Sequence, residues 1–201
     1  FEARIVDLMD DAAAAQFLNL WPVGMIPVLR DDARNRTVPE TTIIIEYLEQ
    51  HYPGARALLP RDEDTRLDAR LWDRFFDLYV QVPMQKIVID QLRPEAERDA
   101  RGVADAEAAL PVAYGMLDKH MAGREWAAGD SFGLADCAAA PALFYADIVV
   151  PFAATHPHAA SYFERLLQRP SVARTFVEAR PYFQNFPLRK RAGIRSLSGK
   201  F

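Results

Sequence analysis

The spacing of apolar residues changes once along the chain. Up to residue 58 the apolar segments are short and separated by turns, whereas from residue 65 onward they recur at helical spacing without convincing strands. A segment rich in proline and charge lies between the two parts, and we place a domain boundary within Leu59 to Asp64. The pattern predicts an α/β layer at residues 1–58 and an all-helical domain at residues 65–187.

The first part predicts a two-stranded hairpin with a helix on either side of it in sequence. Alternating apolar and polar residues at the start of the chain favour a half-buried strand there. An aspartate can cap the first helix, Thr41 or Thr42 can cap the second, and Tyr47 belongs to the apolar face of the second. The predicted elements are a strand at 1–8, a helix at 12–20, strands at 28–30 and 37–38, and a helix that begins at 41.

Two short segments of this part have features of a peptide-binding site. The loop from Trp21 to Pro27 holds two prolines and a glycine, which break regular structure and fix the loop's shape. A strand start locked by proline presents rigid main-chain groups, so Ile26 and Pro27 can pair with an extended peptide. At the start of the second helix, Thr41 and the free N–H groups can bind a carboxylate, and Glu40 can bind an ammonium group. Thr41 alone is more simply a helix cap, but its combination with the loop favours a ligand site.

The helix predicted at Thr65 to Val82 is apolar on two neighbouring faces. Packing on both sides within a bundle explains both faces, and we favour that interpretation. The alternative gives one aromatic row to a substrate cleft or a partner, with Phe76 and Tyr79 as the walls of the cleft. One row consists of Leu67, Leu71, Phe75, Leu78 and Val82, and the other of Trp72, Phe76 and Tyr79, with Met84 nearby. Further helices are predicted at 102–120, 134–145, 159–168 and 171–179.

Composition excludes several classes of function. With 24 Lys and Arg against 28 Asp and Glu, the net charge of -4 gives no attraction of the whole chain to nucleic acid or an acidic membrane. The most apolar stretch, 134–154, contains two aspartates and two prolines, so we interpret it as a buried helix and not as a membrane span. Phosphate-loop, paired-cysteine and serine-hydrolase motifs are absent from the sequence, and we expect no metal. Residues 188–201 form a basic tail, either solvated or paired with an acidic partner surface.

Cys137 is the single cysteine of the sequence. It can form no internal disulfide, so the composition suits a reducing compartment and we expect a cytoplasmic location. Its position among alanines of an apolar helix favours a small buried hydrophobe over a nucleophile.

The order of the motifs resembles the glutathione-binding half of a cytosolic glutathione transferase of bacterial type. The resemblance rests on the loop Gly24 to Leu29, on Pro39-Glu40-Thr41 about ten residues later, and on the helix segment 44–48. In the second part, residues 129–136 are similar to the family's N-capping motif, although Gly133 stands where Ser or Thr is usual. Over residues 1–187 the resemblance implies a thioredoxin-like N-terminal domain, incomplete because we expect its first strand and helix ahead of Phe1, and an all-α C-terminal bundle.

The resemblance also implies roles for particular residues. Pro27 would follow a cis peptide bond, and the main chain of Ile26 would pair with the cysteinyl unit of glutathione, the expected cosubstrate. Glu40 and Thr41 would hold the γ-glutamyl end. A small hydrophobic electrophile would be the second substrate, and the protein would be a homodimer. The family's catalytic Tyr, Ser or Cys belongs to the first strand and helix, so the catalytic residue is unknown.

Two functions remain open at this point. One is a glutathione transferase that directs the thiolate of glutathione at an electrophile, and the other is a non-catalytic module of the same fold that makes protein contacts. The pair Glu40 and Thr41 favours the enzyme, because a scaffold needs no clamp for an amino acid. The basic tail favours the interaction module.

Overall fold

The computed structural model describes residues 1–189 of the chain. These residues divide into two compact units, of which the first is Phe1–Leu58 and the second begins at Leu59. Among the helices of the described residues, none combines the length and the apolar character that crossing a bilayer requires.

The first unit is a hairpin with one helix before it and one after it in sequence. Helix α1 is Asp11–Leu20, and the Asp10 carboxylate caps it by accepting from the Ala13 N–H at 2.7 Å. Strands β1 (Val28–Asp31) and β2 (Arg36–Pro39) pair antiparallel, with Val28 opposite Pro39 and Asp31 opposite Arg36. Helix α2 is Thr41–His51. The buried side chains of this unit include Phe17, Val38 and Tyr47.

The strand predicted at residues 1–8 is wrong. Residues 1–7 have no regular secondary structure and are almost entirely exposed. Alternation specifies which side chains a strand could bury, but a strand forms only beside a partner that accepts its hydrogen bonds. In the part of the chain that the structure describes, β1 pairs with β2 alone.

All the regular secondary structure in the described residues of the second unit is helical. The helices are α3 (Glu63–Phe75), the π-helical segment (Phe76–Gln81), α4 (Val82–Asp90), α5 (Ala100–Met121), α6 (Leu134–Val149), α7 (Pro157–Gln168) and α8 (Pro170–Ala179), with short 3-10 turns at Glu95–Glu97 and Arg180–Asn185. The long first helix continues without a break from α3 through the π-helical segment into α4, so the helix predicted to end at Val82 extends to Asp90. Helix α6 is central, since it packs against α3, α4, the π-helical segment and α7.

Neither of the two apolar rows predicted for the first long helix is buried as a whole, and the row that the core buries shares only Phe76 with them. Of the row predicted to serve the core, only Phe75 is buried, and the other members are exposed: Leu67, Leu71, Leu78 and Val82. The buried row runs through Ala69, Phe76, Val80, Met84 and Ile87. This row also includes Asp73, which is buried. Because Ala69 is small and Asp73 is charged, the core-facing row is less hydrophobic in sequence than the exposed row, and periodicity did not identify it.

The N-terminus of α6 has the capping that the sequence predicts. The Asp136 carboxylate accepts from the Gly133 N–H at 2.8 Å, so the reach of N3 back to the N-cap is retained although glycine offers no side-chain oxygen. Asp136 also accepts from the Ala127 N–H at 3.0 Å and from the Tyr162 hydroxyl at 2.5 Å. Three donors therefore satisfy a carboxylate that is fully buried.

The described chain ends in a packed segment. Leu188 is buried in the hydrophobic core of the helical unit, and Phe186 packs its ring against that of Tyr145 at 5.1 Å between centroids. The rest of the basic tail predicted at 188–201 lies outside the described residues from 190 onward.

Candidate functional site

The loop between α1 and β1 is held by main-chain hydrogen bonds. The Trp21 N–H donates to the Phe17 carbonyl at 2.9 Å, and the Gly24 N–H donates to the Trp21 carbonyl at 3.0 Å. Gly24 has a φ of +75°, and a Cβ at this position would lie 3.3 Å from the Leu18 side chain. Glycine therefore meets both the backbone and the packing requirement of this turn.

Ile26 has free main-chain groups at the exposed end of this loop. The Ile26–Pro27 peptide bond is cis, as the family resemblance implies. The Ile26 residue is 64% exposed, and no hydrogen bond within residues 1–189 uses its main-chain N–H or C=O. A donor and an acceptor on the same residue are thus available to an extended peptide.

The second segment of the site is the start of α2. Glu40 lies at the N-cap with φ 67° and ψ 122°, its side chain caps nothing, and Thr41 is the first helical residue. The prediction that Thr41 or Thr42 caps this helix is therefore wrong. The chain turns into the helix through the positive φ of Glu40, one residue earlier than expected. Glu40 and Thr41 are both exposed, and the positive end of the helix dipole is open to solvent.

The hairpin brings these two segments together. Val28 and Pro39 form the pair of residues at the open end of the hairpin. Pro27 directly precedes β1 and Glu40 directly follows β2, so the loop and the helix N-terminus meet at this end. The first unit thus contains, side by side, a free main-chain donor and acceptor, an exposed carboxylate and an uncapped helix N-terminus.

One feature of this unit is not evident from the sequence. Asp31, at the other end of β1, is only 8% exposed and accepts hydrogen bonds from two tyrosines of the α2 segment, Tyr47 and Tyr52. From the sequence alone, Tyr47 is recognisable only as part of the apolar face of α2. A tyrosine at a core position needs a partner for its hydroxyl, and the acidic hairpin turn was the available signal.

In the helical unit, the structure separates the two residues predicted to wall an electrophile pocket. Phe76 is 0% exposed and belongs to the core, with its ring 5.5 Å from that of Phe75 and 6.2 Å from that of Trp72. Tyr79 is 59% exposed. Phe76 therefore offers no surface to a ligand, and Met84, also suggested beside the pocket, is likewise buried.

Tyr79 lines an apolar groove of about 480 Å³ between the first long helix and α5. Leu78 and Val82 line it from the same helix, and Val112 and Met116 line it from α5. The lining is almost wholly apolar, so the groove suits a hydrophobic group.

The helical unit has little reactive chemistry of its own. Burial raises the pKa of the Cys137 thiol to about 12, so the thiol stays protonated at neutral pH. Within residues 1–189, no three His, Cys, Asp or Glu side chains are grouped as metal ligands.

Comparison with known proteins identifies the family. Residues 1–56 match the family model of the glutathione S-transferase N-terminal domain, and residues 75–170 match that of the C-terminal domain. The chain belongs to the glutathione S-transferase family. The family and the two-part fold expected from the sequence are thereby confirmed.

Relatives from fungi and bacteria extend over most of the chain. The glutathione S-transferase-like protein LUC7 of a Fusarium species is 35% identical over 138 residues, which are 69% of this chain and 62% of that protein. Glutathione S-transferase GstB of Escherichia coli K12 is 28% identical over 159 residues, which are 79% of this chain and 76% of GstB. The crystal structure of a glutathione S-transferase from Methylobacterium radiotolerans in complex with glutathione sulfonate is similar with a TM-score of 0.67 and 29% identity, over 77% of this chain and 73% of that one. The chain thus spans less than two thirds of LUC7.

Proposed function

We propose that this protein is a glutathione transferase that binds glutathione at Ile26, Pro27, Glu40 and Thr41. The observation that carries the proposal is the free main chain of Ile26 beside the uncapped N-terminus of α2. The structure of the Methylobacterium radiotolerans glutathione S-transferase in complex with glutathione sulfonate supports the same ligand class.

The chemistry of glutathione fits these groups one by one. Its cysteinyl unit can pair with the N–H and C=O of Ile26 as a short antiparallel strand would. Its γ-glutamyl end carries an ammonium and a carboxylate, so it needs groups of both signs. The Glu40 carboxylate binds the ammonium, and the Thr41 hydroxyl with the N–H groups of the helix N-terminus binds the carboxylate.

The four residues bind and orient glutathione and leave the thiol to act. Once the thiol has lost its proton to solvent, a lone pair of its sulfur forms a bond to an electrophilic carbon. The electron pair displaced at that carbon departs with a leaving group such as a halide, or moves onto an activated double bond that then takes up a proton from solvent. None of the four residues acts as the base that takes this proton. Ile26, Pro27 and Thr41 have no basic side chain, and the Glu40 carboxylate is engaged with the ammonium group.

Calorimetric titration of the full-length protein with glutathione tests the binding site. Thr41→Ala should weaken binding by about 1 to 2 kcal/mol, or about 5- to 30-fold in Kd, because it removes a hydrogen bond to a charged group. Thr175→Ala, which changes an exposed threonine on α8, should leave the Kd unaltered. If the protein shows no binding at millimolar glutathione, the site assignment is wrong.

Turnover separates the enzyme from the interaction module. A transferase conjugates glutathione with flat or hydrophobic electrophiles, and we propose that Tyr79, at its apolar groove, contacts the acceptor in place of the predicted pair with Phe76. Binding of glutathione without turnover of any of a broad set of electrophiles would instead support the non-catalytic module.

We further propose a homodimer in which the α/β part of one subunit faces the helical part of the other. The exposed leucines of α3, Leu67 and Leu71, support it, because adjacent large apolar side chains on a helix face are typical of an interface. In sedimentation, Leu71→Glu should convert the dimer to a monomer, whereas Val177→Glu on α8, another exposed apolar position, should not. A mass near 22.7 kDa for the unmodified chain at micromolar concentration would remove the claim.

A further inference from the structure

The Asp31 carboxylate is the meeting point of three hydrogen-bond donors. Its Oδ2 accepts from the Tyr47 hydroxyl at 2.6 Å and from the Tyr52 hydroxyl at 2.7 Å, while its Oδ1 accepts from the Arg34 N–H at 3.1 Å. Asp31 ends β1, Arg34 lies in the hairpin turn, and the tyrosines lie near and just after the end of α2. One carboxylate therefore ties the closed end of the hairpin to the far half of the helix.

The distances along the two elements are matched. Tyr47 is six residues after Thr41, about 9 Å along the helix axis at 1.5 Å per residue. Asp31 is three residues after Val28, about 10 Å along the strand at 3.3 Å per residue. The hairpin and α2 thus run from the proposed glutathione-binding end to the Asp31 carboxylate over similar lengths. They are joined through the chain at one end and through Asp31 at the other.

The surroundings favour a persistent connection. The Arg36 guanidinium lies 5.4 Å from the centroid of the Tyr47 ring, and that of Arg34 lies 6.0 Å from the centroid of the Tyr52 ring, so a cation covers each ring. The hydroxyls of Tyr47 and Tyr52 lower the pKa of Asp31. Burial, followed by the bond to Asp31, raises the pKa of Tyr47. At neutral pH the acceptor is therefore charged and the donor keeps its proton.

We propose that Asp31 is a positioning residue for the glutathione site, acting through Tyr47 and Tyr52 to fix α2 against the hairpin. The proposal rests on the proposed function, since it concerns how Glu40 and Thr41 are held relative to Ile26. Glutathione must contact the hairpin side and the helix side at once. A binding site of this kind loses affinity when its two halves shift by about 1 Å.

The hairpin offers a matched control for a test by titration. Asp32 neighbours Asp31 and carries the same charge, but its side chain is 89% exposed and pairs with Arg30 at 3.1 Å within the hairpin. Asp31→Asn and Tyr47→Phe should raise the Kd for glutathione about 3- to 30-fold, whereas Asp32→Asn should leave it unchanged. In steady-state kinetics the same two variants should raise the KM for glutathione and leave kcat unaltered.

The measurement distinguishes positioning from a merely structural role. Titrations are made at least 20 °C below the lowest melting temperature, and the stoichiometry reports the folded fraction. If the Asp31 and Tyr47 variants lower only the melting temperature or the stoichiometry and keep the wild-type Kd, the positioning proposal is overturned. Tyr52→Phe provides a milder variant, because Tyr52 is 50% exposed and the change removes one hydroxyl. If the first two variants fail to fold, an unchanged Kd in Tyr52→Phe overturns the proposal and a raised Kd supports it. If the wild type itself binds no glutathione, the proposed function fails first and this proposal fails with it.

Discussion

Replacement of Phe76 by alanine should destabilise the helical unit and leave acceptor preference unchanged. Phe76 is 0% exposed, and its ring packs edge to face on Phe75 and lies near Trp72. Truncation of a buried phenylalanine to alanine costs about 3 to 5 kcal/mol, and aromatic pairs contribute about 0.5 to 1.5 kcal/mol each within such totals. A site closed on every side cannot refill easily, so we expect about 4 to 5 kcal/mol.

Thermal melts and kinetics on several acceptors test this expectation together. A loss of about 4 to 5 kcal/mol corresponds to a fall in Tm of roughly 8 to 20 °C for a chain of this size. The matched control is Tyr79→Ala, which changes an exposed aromatic residue on the same helix. It should lower the free energy of unfolding by about 0.5 kcal/mol or less, and it should alter the relative kcat/KM among acceptors. A Phe76→Ala variant that melts like the wild type and itself changes acceptor preference would refute a core role for Phe76.

Three further predictions concern titratable groups. Asp136→Ala should destabilise the protein by about 3 to 5 kcal/mol in denaturant unfolding, because it leaves three buried donors without an acceptor. Tyr162→Phe removes one of these donors and should cost less. The pKa of the Cys137 thiol, raised to about 12 by burial, predicts that iodoacetamide at pH 8 reacts much more slowly with the native than with the unfolded protein; equal rates would contradict it. The lowered pKa of Asp31 means that its contribution to stability is complete above the ordinary carboxyl pKa of 3.8 and is lost as the pH falls through the folded-state value. Asp31→Asn should therefore unfold with a weaker dependence on pH below 3.8, and an unchanged acid transition would argue against the Asp31 bonds.

Local sequence patterns predicted where helices begin better than they predicted which face of a helix is buried. Helix α1 with its Asp10 cap and the contact of Asp136 with the Gly133 N–H depend on residues within one helical turn, so the sequence specifies them. The choice between two apolar faces of the first long helix depends on what packs against it. That choice is tertiary, and the burial of Phe76 in place of Leu71 was not predictable from periodicity.

The candidate site divides in the same way. The loop sequence around Pro27 and the position of Glu40 and Thr41 could be found from motif order alone. The positive φ of Glu40 places the helix start one residue earlier than predicted and depends on how β2 turns into α2. Because glutamate rarely adopts a positive φ, the residue type gives no indication of this turn. The Asp31 connection joins residues 16 and 21 positions apart, beyond the reach of local patterns.

A crystal structure of the protein in complex with glutathione tests the proposed binding site most directly. We expect the cysteinyl unit to pair with the main-chain N–H and C=O of Ile26 at about 2.7 to 3.2 Å. We expect the γ-glutamyl ammonium at the Glu40 carboxylate, and the γ-glutamyl carboxylate at Thr41 and the N-terminus of α2. Glutathione bound elsewhere, or bound with its γ-glutamyl end pointing away from α2, would contradict this binding site.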